Sequence, residues 1–138
     1  KMGRKKSKKN YIPIGFCGSF FPIDFLKELK DIVLEEESSK ISIEDFMNVF
    51  IGGFEFKDFP YMKENCFLLI NEKHIYDYDE NEDDEPGYFI GVNIFDLPEH
   101  LSIKRIKIDV RTMLQQLGLI NEEEDSDVVQ IMSTILEI

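Results

Sequence analysis

Apolar positions recur with a helical period over much of the chain, and with the two-residue period of strands in its middle. After Pro22, which suits the first turn of a helix, Phe25, Leu26, Leu29, Ile32 and Val33 fall on one side of a predicted helix over 22–37. Ser42 followed by Asp45 resembles a capping box. The helix it opens places Ile43, Phe46, Met47, Phe50 and Ile51 together and stops at Gly52-Gly53. Ser102 is placed to cap a third helix, with Ile103, Ile106, Val110, Met113, Leu114 and Leu117 on one stripe and Gly118 at its end. Val128, Val129, Ile131, Met132, Ile135 and Leu136 predict a fourth helix over 127–138.

The strand signals lie between these helices. Phe54 and Phe56 alternate with charge, and Cys66 to Ile70 is a continuous apolar run. Tyr88 to Phe95 alternates most clearly: Tyr88, Ile90, Val92 and Ile94 share one face. Gly91 lies on the other, where a second backbone or a large side chain fits beside it. Tyr11 to Phe21, interrupted by Pro13 and Gly18, holds at most a short strand, and Ile75 to Tyr78 another. The pattern predicts an α+β fold: a small antiparallel sheet of about three strands covered by about four helices.

Length makes this one domain, 11–138, behind a basic tail, 1–10. The absence of Trp and Ala leaves the core to Ile, Leu, Phe, Val and Met. With abundant Ile, Lys and Asn, it also reads as AT-rich coding, as in a low-GC bacterium or its virus. No stretch reaches the ~20 apolar residues of a membrane span, and no apolar leader core follows the basic start. Two cysteines, Cys17 and Cys66, make no disulfide framework, which predicts buried thiols and a cytoplasmic setting.

Charge changes the picture most. The net charge is −12, yet Lys1, Arg4, Lys5, Lys6, Lys8 and Lys9 are all cationic, so the body carries about −18. Such a body repels nucleic acid and anionic membranes and attracts basic partners. The densest acidic segment runs through Asp77, Asp79, Glu80, Glu82, Asp83, Asp84 and Glu85. Glu122, Glu123, Glu124, Asp125 and Asp127 form a second, and Glu35 to Glu37 a third. Like charges so concentrated cost the fold stability, and a basic partner relieves that cost.

Asp77, Asp79, Asn81 and Asp83 alternate like the oxygen ligands that begin a calcium loop. But Glu82 stands where the loop needs Gly, and Tyr88 where it needs its closing Glu, so no metal site is expected. Lys104, Lys107 and Arg111 form a basic stripe on the third helix, and Arg105 is spaced to pair with Asp109. No phosphate loop, serine elbow or Cys/His metal spacing occurs. His74, His100 and the thiols make no convincing dyad, and no cofactor is implied.

The expected function is therefore that of a non-enzymatic accessory or inhibitor. It docks through 77–85, supported by 122–125, on a basic protein such as a nucleic-acid-binding enzyme met by charge mimicry. The alternative is a structural or assembly subunit. There the tail residues Arg4, Lys5, Lys6, Lys8 and Lys9 bind nucleic acid or an acidic neighbour, including another copy of the chain in a homo-oligomer.

Overall fold

The computed structural model describes residues 10–62, 66–75, 85–121 and 128–137. Strand β1 (Tyr11–Pro22) leads directly into helix α1 (Ile23–Leu34), a 3-10 turn (Glu35–Lys40) and helix α2 (Ile43–Gly52). Strands β2 (Phe67–Asn71) and β3 (Gly87–Asn93), helix α3 (Ile103–Gln116) and strand β4 (Gln130–Glu137) follow. All strand pairs are antiparallel, in the order β2-β3-β1-β4.

The class is α+β as expected, but the counts differ: four strands and three helices in the described chain. Within the segment predicted as a fourth helix, 127–138, Gln130–Glu137 form strand β4 instead. As an edge strand it shows side chains on both faces. Ile131 and Ile135 are 41% exposed on one side, while Met132 and Leu136 pack on the other. Apolar residues on both faces erase the two-residue period and imitate a helical one. Phe54 and Phe56 form no strand; they meet edge to face and pack on the core. Ile94 belongs to a 3-10 turn rather than to β3.

Strand β1 is longer than predicted because it serves two neighbours. Tyr11–Gly18 pair with β4 and Phe16–Pro22 pair with β3, overlapping only at Phe16, Cys17 and Gly18. Pro13, which cannot donate to a ladder, lies where β4 is the only strand paired with β1. This stagger curls the sheet. Ile75, just past β2, forms a bridge with Leu136 of β4, so the chain leaving one edge strand meets the other edge strand.

The curl encloses a small core of Ile14, Phe16 and Ile70, with Leu68, Ile75, Phe89, Met132 and Leu136 packed against it. The main core lies on the opposite face. There Cys17, Phe21, Tyr88, Ile90 and Val92 meet Leu26, Phe46, Met47, Ile106, Val110, Met113 and Leu114 from the helices.

Predicted helix signals take their expected places. Ser42 Oγ accepts from Asp45 N (3.1 Å), Ser102 Oγ accepts from Arg105 N (3.1 Å), and Gly118 adopts φ +80°. Lys30 is buried because it closes the turn after α1: its Nζ donates to Ser38 O, to Ser38 Oγ (3.1 Å) and to Ile41 O (2.9 Å). Among the described residues no helix is long and apolar enough to cross a membrane.

Candidate interaction surface

Helix α1 begins without a side-chain cap, because Pro22 occupies the cap position. The first amide of a helix has no partner within the helix. Here Ile23 N donates to Pro86 O at 2.9 Å. That bond ties the end of the acidic segment Asp77–Glu85 to the start of α1. Glu85 is described and exposed; Asp77, Asp79, Glu80, Glu82, Asp83 and Asp84 lie outside the described residues.

From that junction, Asp24, Glu28, Asp31 and Glu35 follow at helical spacing, all exposed, and Glu36 and Glu37 continue into the 3-10 turn. Beside them lies an apolar stripe that the periodicity assigned to the core. Only Leu26 of the five predicted residues is fully buried, and Leu29 is partly so. Phe25 is 38% exposed, Val33 48% and Ile32 73%. Exposed apolar side chains grouped on one helix face mark interaction sites more often than singly scattered ones do.

The second acidic segment is anchored near by. It leaves after the buried Ile120 and returns at Val128, whose carbonyl accepts from Ser19 Oγ at 2.5 Å, followed by the buried Val129. Gly87, next to Pro86, pairs with Pro22. The two segments thus rejoin the body three residues apart on β1, roughly 10 Å along a strand. Glu122, Glu123, Glu124 and Asp125 lie outside the described residues, as do the tail residues Arg4, Lys5, Lys6, Lys8 and Lys9.

Among the described residues, no ion pair joins the acids of α1 to the bases of α3. Lys40–Glu37 and Lys57–Glu55, both 3.5 Å and exposed, are pairs of the kind worth little. The expected Arg105–Asp109 pair forms at 3.2 Å, and the buried Asp109 carboxylate also accepts from Tyr61 Oη at 2.5 Å. Burial, and then that bond to a carboxylate, hold the Tyr61 phenol well above its usual range. Sequence reasoning missed Tyr61, because nothing in its local pattern announces a partner 48 residues away.

Neither thiol is activated. Burial pushes Cys17 up to about 11, only partly opposed by Lys107. Burial, followed by the Asp96 charge, raises Cys66, whose Sγ donates to Asp96 O at 3.1 Å. His74 is exposed with Nδ1 3.3 Å from Glu137 O, and His100 is exposed on a turn. Among the described residues no group of three or more His, Cys, Asp or Glu side chains is arranged to hold a metal ion.

Compared with protein-family models, with curated proteins and with solved structures, the chain matches none of them.

Proposed function

We propose that this chain is a non-enzymatic binding protein that docks on a basic protein partner through the outer face of α1 and the acidic segment Asp77–Glu85. One observation carries the reading. The Ile23 N to Pro86 O bond joins that segment to a helix whose exposed face is itself acidic, with an apolar stripe of Phe25, Ile32 and Val33 along it. Acids steer and orient a basic partner, while burial of the stripe supplies affinity that salt does not screen. A helix of 12 residues offers about 18 Å of such surface, enough for two or three turns of a partner helix. Segment 122–125 supports the docking by its charge.

The test is capture of partners from extracts of the source cell at low and high salt, with three forms of the chain. The first is unmodified. The second has the seven acids from Asp77 to Glu85 changed to Asn or Gln. The third carries Ile32→Ser and Val33→Ser. A basic protein held by the first, weakened by salt, and lost by both variants supports the reading. A partner held equally by all three removes it.

A further inference from the structure

Strand β4 and the first half of β1 carry the main-core side of the sheet out beyond the helices, and pairing fixes which side chains share it. Cys17, in the main core, stands opposite Ile131. The two-residue alternation then puts Gly15 opposite Ser133, Pro13 opposite Ile135 and Tyr11 opposite Glu137 on that same side. Ile131 and Ile135 are each 41% exposed, Tyr11 is 48% exposed, and Pro13 is exposed as well. Phe95, 61% exposed, lies across the bare backbone of Gly15: its Cε1 is 2.9 Å from where a Cβ would stand. Residues far apart in the chain thus form one apolar surface around Gly15. On a chain in which 32% of residues are charged, Tyr11–Pro22 and Gln130–Leu136 contain no charged side chain.

We infer that two copies of the chain dimerise through this surface about a two-fold axis. Area argues for it. At roughly 200 Å² for a whole side chain of this size, the exposed fractions of Phe95, Tyr11, Ile131 and Ile135 leave roughly 400 Å² of mostly apolar surface in water, before Pro13 is counted. A standard interface takes about 800 Å² from each partner and a homodimer interface is about 65% apolar, so one copy needs about 500 Å² and this surface supplies most of it. Charge selects the occupant. The surface has no charge with which to orient a charged partner, and charged residues are depleted at the centre of interfaces. A two-fold axis asks for no second, complementary surface, since each copy offers the other the same apolar face. The chain's own basic tail is a poor cover: Lys1 to Lys9 hold six cations and, in Met2, one sizeable apolar side chain. The surface lies at the opposite end of β1 from Pro22, where α1 begins, and does not depend on the docking face of that helix.

Sedimentation equilibrium of the full chain, over a wide range of concentration at low and high salt, tests this. A monomer–dimer equilibrium is expected. Both copies carry a net charge of −12, so salt that screens their repulsion should tighten the dimer. Association of the basic tail with an acidic neighbour would instead weaken with salt. Phe95→Ser with Ile135→Thr should raise the dissociation constant at least tenfold. Ile32→Ser with Val33→Ser, on α1, should leave it within twofold, so loss of the dimer and loss of docking through α1 are read separately. Circular dichroism confirms that both double variants are folded. The chain has no Trp, so Phe95→Trp adds a single emission reporter that keeps the contact apolar, and its spectrum should shift to the blue as concentration rises. Any of four results overturns the inference: a monomer at every concentration, dissociation of the dimer by salt, equal loss in both double variants, or an emission spectrum that does not change with concentration.

Discussion

Gly18 and Gly91 face each other across β1 and β3, at the place where β1 stops pairing with β4 and continues with β3 alone. Neither position has room for a side chain. A Cβ on Gly91 would sit 2.1 Å from Cys17 O and 2.7 Å from Gly18 Cα, and one on Gly18 would sit 2.2 Å from Ile90 O. Phe16 Cζ lies over the pair, 2.7 Å from the same position on Gly18. The bare backbone lets the two strands close tightly where the sheet curls, and Phe16 fills the concave side.

Gly91→Ala should therefore destabilise the protein by about 3 kcal/mol or more, since the obstruction is backbone rather than a flexible side chain. Gly52→Ala is the contrasting change. It stands at the end of α2 with nothing within 4 Å of a new Cβ, and should stabilise by up to about 1 kcal/mol. Urea unfolding midpoints of the two variants should move in opposite directions.

Lys30→Met should cost about 2–3 kcal/mol in the same measurement. The methionine stem fills the space, but Ser38 O and Ile41 O lose the ammonium that satisfies them. If Lys30 were merely a surface residue with a covered stem, the variant would be as stable as the parent.

Alkali should destabilise the protein progressively from about pH 9 upward. The native pKa of Cys17 is raised from 9.0 to about 11, and Cys66, Tyr61 and Tyr88 are raised as well. A raised native pKa means that the unfolded chain loses its proton first. The stability from Cys17 is thus complete below pH 9 and lost by about pH 11, amounting to about 2–3 kcal/mol. Cys17→Val should flatten that part of the profile, and a thiol reagent should label the native protein slowly but the urea-unfolded protein at once.

Tyr61→Phe should destabilise by about 1–3 kcal/mol, because a hydrogen bond to a charged, buried carboxylate is lost while Arg105 remains. The urea unfolding midpoint should fall accordingly, and a variant as stable as the parent would mean that Tyr61 does not hold the bond to Asp109.

Ile32→Ser with Val33→Ser should change stability by less than about 1 kcal/mol, since both side chains are largely in water already. A loss of several kcal/mol would show these residues to be part of the core after all, and not a surface kept for a partner.

Helices α2 and α3 were legible to within a residue or two, because each is amphipathic, capped by a serine and ended at a glycine. Strand β3 was legible because its two faces differ: Tyr88, Ile90 and Val92 enter the main core, and Gly91 meets Gly18. Strand β4 was not, because its exposed face carries Ile131 and Ile135, so the apolar pattern hides an alternating burial. On α1 the periodicity was real but its meaning was not: the same spacing that buries a stripe elsewhere leaves Phe25, Ile32 and Val33 exposed here. Of the candidate site, the acidic segments were legible as charge, whereas the bond that joins one of them to α1 was not.

The amino-acid order alone determined the α+β class, the helices α2 and α3, the capping serines and the polarity of charge between the tail and the body. These are local properties, set by side-chain period, caps and composition. Tertiary structure decided which stripe of α1 stays in water, that 130–137 is a strand, that β1 divides itself between two partners, and that Pro86 meets Ile23. Each depends on residues far apart in the chain being brought within a few ångströms, and no local pattern encodes such a distance.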